Sequence, residues 1–292
     1  MDRTTIPTEI QDALRSHFGQ GLSFHSMAPL SGGSINAAHR LVTSAGSFFL
    51  KYNNADRYPD MFVAEAKGLQ LLRAASSLKI PEVLLQGAAG SYNFLLMEYL
   101  VPGRPSMDFF HKFGQSLALM HKTTAPEFGL DHHNYIGSLQ QDNTGMPHFH
   151  DFFITRRLEP MVRIARDTGK LEINHQRKFE AFYNAFSDLI PTEKPAFLHG
   201  DLWNGNFLID ESSHVALIDP AVYFGHRETE LAMTKLFGGF DPAFYAAYQE
   251  EYPLEKGWEK RLDLHNLYPL MVHVNLFGGD YLRSVIEILK PY

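Results

Sequence analysis

Asp201 and Asn206 stand five residues apart in His199-Gly-Asp-Leu-Trp-Asn-Gly-Asn206, and a second carboxylate, Asp219, closes the apolar run Leu217-Ile-Asp219. Moving a phosphoryl group onto an alcohol needs groups of this kind. One carboxylate deprotonates or positions the acceptor hydroxyl. Further oxygens hold magnesium, a hard cation that takes carboxylate, amide and water ligands. Taken alone, Asp-x4-Asn is turn and capping chemistry. The preceding His-Gly, the strand pair Phe207-Leu-Ile209 and Val215-Ala-Leu-Ile218, and the position of Asp219 make the combination much rarer.

The spacing is similar to the catalytic loop HxDxxxxN of protein kinases, with Asp219 where their DFG aspartate sits. The triplet here is Asp219-Pro-Ala. The metal-binding carboxylate is kept, but the phenylalanine-based switch is not expected. Upstream, Lys51 ends the apolar strand Phe48-Phe-Leu50, where a lysine reaches nucleotide phosphates, and Glu65 follows 14 positions later on a helix, placed to pair with it. Gly32, Gly33 and Ser34 form a turn whose backbone N–H groups suit phosphate oxygens, although the full G-x-G-x-x-G pattern is absent. Met97-Glu98-Tyr99 lies just before a break in the chain, where backbone groups would bind an adenine.

These residues need positioning elements. The pattern predicts a helix over 7–18, then strands around the glycine turn, including Ser47–Lys51. A helix over 61–77 follows, with Ala66, Leu69 and Leu72 as its stripe, and then strands over 81–86 and 92–100. Val101-Pro-Gly-Arg-Pro105 reads as a hinge. Beyond it, Phe110, Phe113, Leu117 and Met120 recur with helical spacing, 125–150 reads as loop, and helices resume near Phe152 and over 172–189. The expected fold class is α+β, in two lobes. Residues 1–100 form a small antiparallel-sheet, nucleotide-binding lobe with one long helix. Residues 101–105 are the hinge, and 106–292 form a larger, mostly helical catalytic and acceptor-binding lobe.

In order and type, these residues resemble the fructosamine kinase (ketosamine-3-kinase) family, related to aminoglycoside and choline kinases with a protein-kinase-like fold. The resemblance runs through HGDLWNGN, Asp219-Pro-Ala-Val-Tyr-Phe-Gly-His-Arg-Glu228, Glu230-Leu-Ala-Met-Thr-Lys-Leu-Phe-Gly-Gly-Phe240 and His273-Val-Asn-Leu-Phe-Gly278, nearly the whole chain. It implies ATP- and Mg2+-dependent phosphorylation of a sugar hydroxyl on fructosamine- or ribulosamine-type adducts, a deglycation step. Asp201 would be the base, Asn206 and Asp219 the magnesium ligands, and Lys51 with Glu65 the phosphate-binding pair. Trp203 would lie against the sugar, and His273 would hydrogen-bond the substrate. The run Gly-Gly-Ser-Ile-Asn carries no cysteine, so the thiol some relatives have in that turn is missing. Gly145-Met-Pro-His-Phe-His150 lacks a tryptophan expected from relatives, which makes 131–153 a candidate specificity loop.

Composition narrows the alternatives. The 292 residues are 45% hydrophobic and 20% charged, with a formal charge of -7 and no Lys/Arg run longer than a pair such as Arg156-Arg157. That argues against a nucleic-acid partner. No stretch approaches a membrane span or a signal peptide, and the lack of cysteine fits a reducing, cytoplasmic setting. Among the 15 histidines, His132-His133 and His148-x-His150 lack metal-site spacing. Three rival readings remain: an aminoglycoside- or choline-type kinase, a non-catalytic nucleotide-binding protein, and a protein kinase. The Trp203 and GHRE segments count against the first. Retention of Lys51, Asp201, Asn206 and Asp219 counts against the second. The third lacks room for an activation loop between Asp219 and Arg227. The oligomeric state is not encoded in any motif.

Overall fold

The computed structural model describes residues 6–30 and 36–292. Its contacts group the chain into two compact units. The first comprises Met1–Ala74, Leu78–Ser106 and Phe207–Asp219, and the second Ala75–Ser77, Met107–Asn206 and Pro220–Tyr292.

The first unit opens with helix α1 (Thr8–Phe18), then strands β1 (Phe24–Pro29), β2 (Ala37–Thr43) and β3 (Gly46–Asn54). Helix α2 (Met61–Ala75) precedes β4 (Val83–Ala89) and β5 (Tyr92–Glu98). The five strands form one antiparallel sheet in the order β1-β2-β3-β5-β4. Successive strand side chains point to opposite faces. Phe48, Leu50 and Tyr52 of β3 join Ile10 and Leu14 of α1 in one apolar cluster. Alternation therefore turns Lys51, flanked in register by Ala38 and Leu95, to the other face. On α2 the stripe Ala66, Leu69 and Leu72 is buried, as its spacing predicts.

The unit also takes in a hairpin that the sequence reading left within 106–292: β9 (Phe207–Ile209) with β10 (Val215–Leu217). Asp210 shapes its turn, its Oδ1 accepting from the backbone N–H of Ser212 and of His214. Backbone bonds explain the placement: Lys79 N donates to Val215 O, Leu217 N to Lys79 O, and Gly103 N to Ile209 O. At Gly103 a Cβ would lie 1.9 Å from Asp210 O, so the close approach requires glycine.

The second unit is mostly helical, built from α3 (Phe109–Met120), α4 (Phe149–Phe152), α5 (Glu159–Asp167), α6 (Ile173–Leu189), α7 (Arg227–Leu236), α8 (Pro242–Glu251), α9 (Leu262–Phe277) and α10 (Tyr281–Ile288). Short strands pair antiparallel as β6 (Asn134–Ile136) with β7 (Leu139–Gln141), and β8 (Ala196–Leu198) with β11 (Tyr223–Gly225). In α3 the fully buried stripe starts at Phe109, with Phe110 only half-buried, one position earlier than the spacing suggested. The β6–β7 hairpin falls inside the segment read as loop. Its strands are too short to alternate, and side chains hold it: Asn134 Nδ2 donates to Val222 O and Gln141 Nε2 to Ala221 O. Between α4 and α5, residues Phe153–Leu158 wind as a π-helix. That turn carries Arg157 fully inside, donating to Asp142 O and Asn143 Oδ1 and lying over the Tyr223 and Phe152 rings. Among the described residues no helix is long and apolar enough to cross a membrane.

The start of α7 is tied to α9 by buried polar groups. Glu228 accepts both Arg261 and His265, and the His226 ring stacks 5.3 Å from His265. Burial opposes the Glu228 charge, yet Arg261 and His265 outweigh it and hold the carboxyl at about 2. Burial lowers His226 to about 4, against the raising effect of Glu193. Below pH 6.5 the unfolded chain protonates His226 first, so its share of stability falls from 6.5 to about 4. The Glu228 contribution is present above 4.5 and is lost from there down to about 2. The melting temperature should therefore decline in two stages on acidification, which a thermal melt series across pH would show. A melting temperature that does not change between pH 6.5 and 4 would rule this account out.

Candidate active site

In the first unit Lys51 is almost wholly buried and lies between two carboxylates. Its Nζ donates to Glu65 Oε1 at 2.8 Å and also to Asp219 Oδ1. Burial would weaken the ammonium, but the charges of Asp219 and Glu65 outweigh it and raise its pKa above the ordinary lysine value. Glu65 is pushed up, by burial first and by the like charge of Asp219, against the pull of Lys51. One cation thus serves two acids, and Asp219 keeps 36% of its side chain exposed. Its backbone has φ 56°, a left-handed conformation costly for a non-glycine residue.

At the end of β5, Met97 is buried, and Glu98 and Tyr99 have local partners. The Glu98 carboxylate is 3.5 Å from Lys79 Nζ, and Arg40 lies 4.7 Å from the Tyr99 ring centroid. Gly32, Gly33 and Ser34 fall outside the described residues.

In the second unit, the turn from His199 to Asn206 is held by Glu230 of α7, a residue to which its sequence context assigns no role. Its fully buried carboxylate accepts Gly200 N at 2.7 Å, His199 N at 2.9 Å and His121 Nε2 at 3.0 Å. His121 in turn bonds Tyr248 Oη at 2.7 Å. Burial pushes the Glu230 carboxyl up, but the bonds and charges of His121 and His199 more than reverse this and hold it below the usual range. Gly200 has φ 84°, and a Cβ there would sit 2.1 Å from Ala221 O, so no larger residue fits. Above this base, Asn206 Nδ2 donates to Asp201 O at 2.7 Å and to Asp201 Oδ2 at 2.9 Å. The amide nitrogen is thereby committed to Asp201 and the amide oxygen is turned away from it.

Trp203 packs edge-on to Phe237 at 5.6 Å, and Phe237 lies 4.9 Å from the His273 ring. The two proposed substrate contacts are thus linked through an aromatic residue that no spacing rule selects. The loop histidines have local partners: His132 bonds Asp131, His133 accepts Asn143 N, and His150 bonds Asp151. Among the described residues, the one His/Glu grouping compact enough for a metal is His226, Glu228 and His265, with donor atoms within 4.8 Å of one another. Arg261 already engages both oxygens of Glu228.

This architecture is that of the protein-kinase-like phosphotransferases. A family model for fructosamine kinase matches residues 6–292. A provisionally named ketoamine kinase of Enterococcus faecium is 37% identical over 90% of this chain and 94% of its own. The chloroplastic protein-ribulosamine 3-kinase of Arabidopsis thaliana is 34% identical over 94% of this chain and 84% of its own. A crystal structure of a Thermobifida fusca protein provisionally named fructosamine-3-kinase superposes with a TM-score of 0.86 at 32% identity, covering 98% of each chain. The chain belongs to the fructosamine kinase family. It is an ATP-dependent phosphotransferase with a sugar hydroxyl as acceptor.

The Glu230 contacts lead to a direct test. In Glu230→Gln the side-chain NH2 would replace one carboxylate oxygen and face the backbone N–H of either Gly200 or His199, and an unsatisfied buried donor costs about 1–3 kcal/mol. The variant should melt lower. Because a shifted catalytic turn misplaces the acceptor, its kcat should also fall roughly tenfold or more. Its KM for ATP should stay within about threefold, less than the half-decade that ~0.7 kcal/mol represents. An unchanged kcat per folded molecule would limit Glu230 to stability.

Proposed function

We propose that this protein uses magnesium-ATP to phosphorylate a sugar hydroxyl of ketosamines, small or protein-bound, as a deglycation step in the cytoplasm. Asp201 acts as general base. Asn206 and Asp219 supply oxygens to magnesium, and Lys51, held by Glu65, binds nucleotide phosphates. Backbone at Met97, Glu98 and Tyr99 binds the adenine, and the turn at Gly32, Gly33 and Ser34 approaches the phosphates. Trp203 lies against the sugar and His273 hydrogen-bonds it. Residues 101–105 act as the hinge between nucleotide-binding residues 1–100, with the 207–219 hairpin, and acceptor-binding residues 106–292. Residues 131–153 contribute to acceptor choice.

The observation that carries this reading is the way Asn206 commits its amide nitrogen to Asp201. The bond orients the carboxylate and leaves the amide oxygen for a hard cation, which takes oxygen ligands. The charge balance at Lys51 supports it: two carboxylates against one ammonium leave a negative charge that a divalent ion would offset. Asn206 and Asp219 would hold the magnesium ion, which when bound would supply positive charge against the charge that develops on the transferring phosphoryl group. Asp201 takes the proton from the acceptor hydroxyl as its oxygen attacks the γ-phosphorus of ATP and the bond from that phosphorus to the leaving ADP breaks.

ADP release should be measured with ribulosamines, fructosamines, aminoglycosides and choline at saturating ATP. Ketosamines should be turned over well above the others, and preferred turnover of an aminoglycoside or choline would displace the assignment. With a ketosamine, Asp201→Asn should lower kcat by about 10²–10⁴-fold while leaving ATP affinity nearly unchanged. Asp219→Ala should weaken nucleotide binding in magnesium but not in chelator. Equal losses under both conditions would point to damage to the fold.

A further inference from the structure

Beyond Trp203 the aromatic contacts continue. His273 sits 4.9 Å from Tyr281 and 5.5 Å from Phe277, and Phe277 is 6.4 Å from Tyr281. With Trp203 and Phe237 these rings make a continuous strip across the ends of α7 and α9 and the start of α10, all within the second unit. The strip is not core. Trp203, Phe237, His273 and Tyr281 are half-buried, and Phe277, at the outer end, is 53% exposed. Asn204 fixes its inner end, donating from Nδ2 to Phe237 O and to Gly239 O, each at 3.2 Å. Gly239, Gly278 and Gly279 lie near it along the chain, and a Cβ at any of them would meet nothing within 4 Å.

One polar atom within the strip has a defined character. His273 Nδ1 lies 2.7 Å from Pro269 O. A carbonyl only accepts, so Nδ1 carries the proton, and in the neutral ring Nε2 is an acceptor. Burial lowers the His273 pKa, which favours that neutral ring. Contiguous aromatic faces beside a ring-nitrogen acceptor suit an organic group that carries an N–H and an apolar body.

A ketosamine has that composition on one side. Its sugar is joined through a secondary amine to a second group, and this amine lies only a few bonds from the hydroxyls. Resting on the reading above, we propose that the strip is the subsite for the amine-bearing half of the acceptor. His273 Nε2 accepts the N–H of the amine, and Phe237, Tyr281 and Phe277 hold the apolar group attached to it. The strip then selects among glycated amines, favouring bulky apolar or aromatic ones over small ones.

The test compares two ketosamines of the same sugar, one formed on methylamine and one on benzylamine, in wild type, Phe277→Ala and Tyr281→Ala. Phe277 is more than half exposed, so its variant should fold normally. Wild type should show the lower KM for the benzylamine adduct. In each variant that KM should rise by roughly five- to tenfold, the scale of one lost aromatic contact. The KM values for the methylamine adduct and for ATP should stay within about twofold, a change of ~0.4 kcal/mol. His273→Phe, which keeps an aromatic ring but removes the acceptor, should raise KM for both adducts. Equal effects of the outer variants on both adducts, or no effect on either, would overturn the subsite while leaving the kinase reading intact. Absence of ADP release from wild type with either adduct would remove both.

Discussion

A single buried carboxylate organises the turn from His199 to Asn206. Glu230 is fully enclosed, where an isolated charge would be prohibitive, and it persists because three N–H donors converge on it. Two of them are the backbone amides of His199 and Gly200, so the strand β8 ends in a fixed direction and the turn leaves with its conformation set. The third, from His121, ties α3 to the same point, and Tyr248 of α8 continues the chain of bonds. Gly200 completes the arrangement. Its positive φ and the nearness of Ala221 O exclude any side chain, so the loop can lie tightly over the segment beyond Asp219.

The first unit faces the converse problem, an excess of acid around one base. Lys51 is buried on the sheet face opposite the α1 cluster, and only the paired carboxylates of Glu65 and Asp219 make its charge tolerable there. The sheet fixes the position of Lys51 through its register with Ala38 and Leu95. The β9–β10 hairpin brings Asp219, anchored by backbone bonds to Lys79 and Gly103. The carboxylate is thereby presented partly exposed, on a residue in a left-handed conformation.

The aromatic content of the second unit serves two ends. Phe152, Phe153, Phe182 and Phe186 fill the core and back the π-turn that carries Arg157 inward, where ring faces replace part of its hydration. Trp203, Phe237, His273, Tyr281 and Phe277 instead remain open to solvent to differing degrees. Phe occurs in both sets, so the residue type alone does not mark the division.

The sequence by itself determined the chemistry and the element types that frame it. Asp201, Asn206 and Asp219 stood out as candidates because hard-cation and base chemistry admits few residue types, and the hydrogen bond from Asn206 to Asp201 is the part of that spacing the structure displays. Lys51 and Glu65 were legible as a pair because period-2 and period-3.6 patterns locate a strand and a helix face, although β3 runs on to Asn54 and Lys51 lies within it rather than at its end. The tertiary structure alone decided what supports them. Glu230 lies 31 positions from His199, so no local periodicity links the two. The 207–219 hairpin joined the first unit through backbone bonds, which carry no side-chain signature. The β6–β7 hairpin is too short to show alternation and is held by amide side chains that also occur in loops. His273, Phe277 and Tyr281 follow one another at four-residue spacing, but Phe237 meets them at His273 only because the end of α7 packs beside α9, and that convergence is a property of packing that no spacing along one chain encodes.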